Sequence, residues 1–250
     1  NETPIVWGCS TDPEATNYNP DANAEFTCLY NIGPDWYVST NGADHANDGS
    51  EEFPFATIQQ AINSSADGNT VHVSLGTYVE NIIWPAISGI SLVGADRETT
   101  IIDGGAAATV VSLTDVGDAS ISGFTITNGQ FEENEDASLQ RSGGIDLFGS
   151  TNATLSDLHL TENSGYIGGA IYVDYNSDCE LSNSLLDYNT ASFGGGIRVG
   201  GVLNLNFVDI VYNSSAISFV PRWARYPFEI WIVPYRRVSN IFELFSIIWK

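Results

Sequence analysis

Residues 166–216, YIGGAIYVDYNSDCELSNSLLDYNTASFGGGIRVGGVLNLNFVDIVYNSSA, say nearly the same thing twice. A glycine cluster, a short alternating apolar run and a later asparagine recur, and an earlier copy begins at Gly143. Ile145, Ile171 and Ile197 are evenly spaced, and Asn163, Asn189 and Asn213 keep almost the same interval. Ile145 and Leu147, Ile171 and Val173, Ile197 and Val199 each flank one variable residue. That is the period of a strand with one buried face. A second apolar set recurs as Leu155 and Leu160, Leu181 and Leu186, Leu205 and Ile210. The units are too short for a strand plus a crossover helix and carry no helical spacing. Each is therefore predicted to be one coil of an all-β solenoid, with matching residues stacked at about 4.8 Å. Repetition then buries a continuous core that a single coil could not build.

Asparagine suits a tight inward turn, because its amide donates to and accepts from the amides above and below. Asn163, Asn189 and Asn213 are read as such a structural column, with Asn128 predicted at its head. Looser coils precede them in ISLVGADRETTIIDGG and VVSLTDVGDASISGFTITNG. Gly194 to Gly196 is no phosphate cradle, since no helix and no Lys-Ser/Thr follows. Upstream, PFATIQQAINSS places Ile58, Ala61 and Ile62 on one helical stripe, with Thr57 as the cap. Such a helix is expected to close the N-terminal end of the core. The stretch DGNTVHVSLGTYVENIIW reads as the first strands, with turns at Asp67-Gly68 and Gly76.

Charge divides the chain. All the acidic residues except Glu229 and Glu243 lie at or before Asn213, where they face Arg97, Arg141 and Arg198, whereas the remainder is weakly basic. A body this acidic repels nucleic acid and anionic membrane, which leaves neither as a partner of the chain up to Asn213. No apolar run is long enough to span a membrane, because Pro234, Arg236 and Arg237 interrupt the most apolar region. The chain opens on Asn1 and holds no methionine, so a removed signal peptide is expected. Cys9 and Cys28 bracket a loop rich in Asn, Asp and Pro, where a disulfide would supply about 3 kcal/mol by restricting the unfolded loop. Cys179 is left over and reads as a small buried residue of one rung.

With these residues in view, WYVSTNGADHANDGSEEFPFATIQQAINSSADGNTVHVSLGTYVENI resembles the opening of proteins of the pectin lyase-like superfamily, and the coils to Asn213 resemble its repeats. The resemblance covers about residues 35–215 and implies a right-handed, single-stranded parallel β-helix. GCSTDPEATNYNPDANAEFTC is similar to a Cys-bracketed module of secreted and surface proteins of marine bacteria, which implies export. FVPRWARYPFEIWIVPYRRVSNIFEL is similar to a segment of the galactose-1-phosphate uridylyltransferase family, with Arg237 where that family places a histidine and without its His-Pro-His motif. The expected organisation is thus a module over 1–33, a β-helix over 34–215 and an atypical tail over 216–250, either a cap or a chimeric segment.

Between the buried pairs of the three glycine-led strands lie Asp146, Tyr172 and Arg198, predicted to form one outward column. In superfamily enzymes that cleave acidic polysaccharides, carboxylates hold Ca2+ and an arginine or lysine removes a ring proton. The resemblance would make Arg198 the base, Asp146 a metal or acid group and Tyr172 a stacking platform for sugar rings. The plain reading is a solvated strand face with an acid and a base loosely paired. The clustered aspartates of polygalacturonases and the Asp-Pro-His signature of alginate epimerases are absent from the sequence. His45, His72 and His159 have no second ligand at zinc spacing. Calcium fits the oxygen donors Asn17, Asn19, Asp21, Asn23 and Glu25, or those of a second loop with Asp44, Asp48 and Glu51; turn chemistry explains both equally. The expected function is engagement of extracellular or cell-surface carbohydrate. A polysaccharide lyase or hydrolase acting through the Asp146 column is the alternative.

Overall fold

A short coil that recurs without a crossover helix can pair only with the coils before and after it, so its strands are forced into parallel ladders. The computed structural model shows this arrangement. It describes residues 5–12, 15, 18–25, 28, 31–131, 142–215 and 237–238, with backbone alone for Glu25, Arg237 and Val238. Near the start, β1 (Trp7–Gly8) and β2 (Ala24–Glu25) form a two-stranded parallel sheet. The Cys9–Cys28 disulfide closes the intervening loop. Next come β3 (Asp35–Val38), helix α1 (Ile58–Ser64), β4 (Thr70–Val73), β5 (Gly76–Val79), β6 (Ile82–Ile83), β7 (Ser91–Gly94), β8 (Thr100–Asp103) and β9 (Val111–Thr114). The repeat region holds β10 (Ser120–Thr127), β11 (Ile145–Phe148), β12 (Ala153–Thr161), β13 (Ser164–Ile167), β14 (Ile171–Val173), β15 (Asp178–Ser182) and β16 (Leu185–Asp187). It ends with β17 (Thr190–Phe193), β18 (Ile197–Val199), β19 (Val202–Asn206), β20 (Val208–Val211) and β21 (Ser214–Ser215).

These strands build the faces of a parallel β-helix. One long sheet runs from β3 through β4, β7, β10, β12 and β16 to β20, with β5, β8, β15 and β19 joined beside that path. A second is ordered β6, β9, β11, β14, β18, and a third β13, β17, β21. Of the tail, only β22 (Arg237–Val238) is described, and it pairs antiparallel with β20. The cap and chimera readings of residues 216–250 otherwise lie outside the described residues.

The expected registers hold. Ile145 pairs with Ile171 and Ile171 with Ile197; Leu155 pairs with Leu181 and Leu181 with Leu205; Leu160 pairs with Leu186 and Leu186 with Ile210. All these side chains are buried in one continuous core. Fully burying one such aliphatic side chain contributes about 1.5–3 kcal/mol, and stacking lets every rung do it in turn. Cys179 lies in the same interior between Ala153 and Leu203, where burial first, then the neighbouring Asp178 and Glu180 charges, push its thiol up to about 12.

Helix α1 forms where the stripe required it. Thr57 is the N-cap, its hydroxyl accepting from the Gln60 N–H, and Ile58, Ala61 and Ile62 are buried where the helix packs on β3, β4 and β6. Carboxylates complete its first turn: Glu80 accepts the N–H groups of Ile58 and Gln59. Burial raises the Glu80 carboxyl above its ordinary range, and those two N–H bonds oppose the rise.

The asparagine column is a hydrogen-bonded ladder. Asn163 N–H and side-chain Nδ2 both donate to Asn189 Oδ1 at 3.0 Å, and Asn189 N–H and Nδ2 donate to Asn213 Oδ1 at 3.0 and 2.8 Å. Each Nδ2 also donates to a carbonyl of the coil below: Asn163 to Ile126, Asn189 to Leu160, Asn213 to Leu186. Asn128 does not head this column. Gly129 does, its N–H donating to Asn163 Oδ1. Asn128 instead takes the preceding position at φ 53°, the left-handed conformation that Glu162, Tyr188 and Tyr212 hold in later coils. The rings of Tyr188 and Tyr212 consequently stack outside the turn, 5.3 Å apart.

Candidate functional site

Side chains on a strand alternate between its faces, so residues two apart share the outward side. On the second sheet the registers Ser112 with Asp146, Asp146 with Tyr172 and Tyr172 with Arg198 put those four residues in one column. The sequence predicted the last three in that order. What differs is their exposure. Asp146 is only 1% exposed, while Tyr172 and Arg198 are half-buried, so the column is not a uniformly solvated strip.

Beside it runs a second set that the sequence reading missed. Phe148, two residues beyond Asp146, pairs with Thr114 and is 43% exposed. Tyr175 stands 55% exposed in the turn after β14, its ring close against Gly200, where a Cβ would crowd it. The signal was available in the outward parity of Phe148. Tyr175 gave none, because a turn has no period.

The turn that carries Tyr175 is closed by hydrogen bonds. Asp174 Oδ1 accepts from Gly149 N–H at 3.0 Å, Asn176 N–H at 3.2 Å and Ser177 Oγ at 2.5 Å. Ser177 Oγ accepts from Ser150 N–H, and Ser150 Oγ accepts from Val116 N–H, so stacked serines link three coils at this corner.

Electrostatically the face leans negative. Burial first, then the charges of Asp174 and Asp146 and the neighbouring Tyr175, push the Tyr172 phenol up to about 12, against a smaller opposing effect from Arg198. At neutral pH, Tyr172 is therefore a protonated hydroxyl able to donate.

Ca2+ takes six to eight oxygens. Near this face Asp146 is buried, and the Asp174 oxygen already accepts three bonds. The two loops read for calcium are used in turns. Asn19 Oδ1 accepts from Asp21 N–H, and Asn23 Oδ1 from Val6 N–H. Asp44 accepts from the N–H groups of Ala56 and Thr57 and from the Thr57 hydroxyl, and Asp48 accepts from Ser50 N–H and Oγ. Asn17 and the Glu25 side chain lie outside the described residues. Among the described residues, no group of three or more His, Cys, Asp or Glu side chains is gathered as metal ligands.

The histidines His72 and His159 are likewise committed. His72 pairs with Asp35 at 2.9 Å and stacks on Tyr37, and His159 pairs with Asp187 at 2.9 Å.

Comparison with known proteins supports the fold more than the chemistry. Residues 40–83 match the family described as Protein of unknown function (DUF1565). Over 135 residues, the chain is 30% identical to the uncharacterized protein YwoF of Bacillus subtilis (strain 168), covering 50% of this chain and 28% of that one. Among solved structures, it is similar to a pectin methylesterase mutant in complex with a hexasaccharide, at a TM-score of 0.51 and 17% identity, covering 72% of this chain and 56% of that one. A second pectin methylesterase–hexasaccharide complex matches at a TM-score of 0.49 and 16% identity, over 71% and 55% of the two chains. The chain thus spans little more than half the length of these structures and under a third of the curated relative. A likeness at this identity carries the parallel β-helix and no residue roles.

Proposed function

We propose that this protein is a β-helix that engages carbohydrate through the face built by β9, β11, β14 and β18, as a binding protein of the cell exterior. The observation that carries this reading is the grouping on one surface of Phe148, Tyr172 and Tyr175 with Arg198, next to the buried Asp146. Aromatic rings offer flat apolar area to the CH faces of sugars, while the polar groups fix orientation through the hydroxyls. The Cys9–Cys28 disulfide fits an oxidising compartment, and among the described residues no helix is long and apolar enough to cross a membrane. Helix α1 serves in this reading as the N-terminal closure of the core.

Binding is favoured over catalysis because Asp146 and Arg198 stand two rungs apart, about 9–10 Å at strand spacing, with Tyr172 between them. Such a pair does not bracket a single scissile bond as closely as paired catalytic groups do. The test is a panel of soluble polysaccharides in affinity electrophoresis, with reducing ends and ultraviolet absorbance followed in parallel. Retention without new reducing ends or absorbance, weakened about tenfold in Tyr175→Ala, is the expected result. New reducing ends, or absorbance from an unsaturated product that disappears in Arg198→Ala, would instead make it a hydrolase or lyase.

A further inference from the structure

Resting on the carbohydrate reading of this same face, we infer that its ligand is a neutral glycan rather than a polyuronate. The acidic groups around the aromatic platform outnumber the basic ones. Asp146 lies next to Tyr172 in the column, and Asp174 directly precedes Tyr175. At the adjoining corner, Asp115 reaches the backbone of Gly149, the residue after Phe148. Asp118 Oδ1 accepts from Asn152 Nδ2, and Asp178 Oδ2 accepts from Asn152 N–H. Against these aspartates, the described residues of the face hold one cation, Arg198. Arg97 lies at another corner, bound to Glu98 and Asp157.

Two physical consequences favour an uncharged polymer. An ionised carboxylate only accepts, so the exposed Asp115 and Asp118 can take the hydroxyls of a neutral sugar but confront a uronate carboxylate with another acceptor, while the buried Asp174 offers a ligand no direct contact. A chain bearing a negative charge on every ring also meets the summed field of this face and of the acidic body, whereas a neutral chain does not.

The experiment compares neutral glucans, xylans, mannans and fully esterified pectin with polygalacturonate and alginate. Affinity electrophoresis is run in EDTA at low and high salt, so that bridging cations are removed. The tightest ligand is expected to be neutral, with polyuronates held at least about tenfold more weakly at low salt and any residual polyuronate retention rising as salt screens the acids. Asp115→Asn, an isostere that tolerates the left-handed backbone found there (φ 55°), should raise that residual retention as well. A polyuronate as the tightest ligand, or polyuronate retention that falls with salt, overturns this inference and leaves carbohydrate binding standing. Retention by no polymer of either kind overturns the carbohydrate reading and this inference with it.

Discussion

Two columns of side chains climb this solenoid in register, and they obey opposite rules. At one corner Asn163, Asn189 and Asn213 repeat the same residue, and each amide is bonded to the next at 2.8–3.0 Å. On the second sheet Asp146, Tyr172 and Arg198 change chemical type at every rung. A self-complementary group can propagate along the axis indefinitely, so its repetition is explained by the inside of the molecule alone. An acid, a phenol and a base have no such propagating pattern. Their variety is what the proposed carbohydrate reading draws on, and the exposed rings of Phe148 and Tyr175 beside them add to that contrast.

The contrast is broken most directly at Asn189. Asn189→Ala removes the acceptor of the Asn163 N–H and Nδ2 and the donor to the Leu160 carbonyl in a fully buried turn. It should cost about 4 kcal/mol, since each stranded buried polar group is worth roughly 1–3 kcal/mol. Denaturant unfolding checks this; a loss below about 1 kcal/mol would mean that the ladder is not what holds the corner. Ile171→Ala, in the buried column between Ile145 and Ile197, should cost about 3 kcal/mol in the same assay.

On the varied face the expectation reverses. Tyr175→Ala should leave the unfolding midpoint nearly unchanged while weakening glycan retention by about tenfold, the effect of losing one stacking platform. Equal damage to stability and retention would erase the distinction between the two columns.

A smaller effect comes from pH. The Tyr172 phenol is pushed up to about 12 in the fold, above its ordinary value near 10, so the folded chain keeps a proton that the unfolded chain releases. Its contribution is fully present below pH 10 and is lost as pH rises toward 12. Thermal melts between pH 9 and 12 should fall less steeply for Tyr172→Phe than for the parent. Tyr78, also pushed up to about 12, supplies a remaining share in both proteins. Last, Cys179 should resist alkylation at pH 8 in the folded state and react on unfolding, because its buried thiol stays protonated there.

How much of this could be read beforehand follows from where the period holds. Between Ile145 and Ile197 successive coils are equal in length, so core columns, ladder asparagines and the Asp146 column were all legible. One coil earlier the corner positions, Gly129 and Asn163, lie farther apart in the chain, and that longer coil is why Asn128 looked like the head of the ladder when it stands one place before it. Alternation gave the direction of Asp146 but not its burial, which depends on what lies over the sheet. Asp44 and Asp48 could be read for calcium or for turns, because a turn-capping carboxylate and a metal-binding one draw on the same residue types. The bonds to Thr57 and Ser50 show the turn role.

Arg97 gives the stack a mechanical property. From the loop after β7, its guanidinium reaches the Asn183 carbonyl at 3.0 Å and the Asp157 carboxylate at 3.3 Å, while the Thr125 hydroxyl holds its own carbonyl. Under tension applied at the C-terminal side, the described coils beyond Asn183 can peel off one after another, each held chiefly by its nearest neighbour. At Asn183 the peeling front meets a rivet from a much earlier coil, and several rungs must let go together. Force spectroscopy should show small, evenly spaced steps followed by one larger rupture, and in Arg97→Ala the larger rupture should dissolve into the small ones.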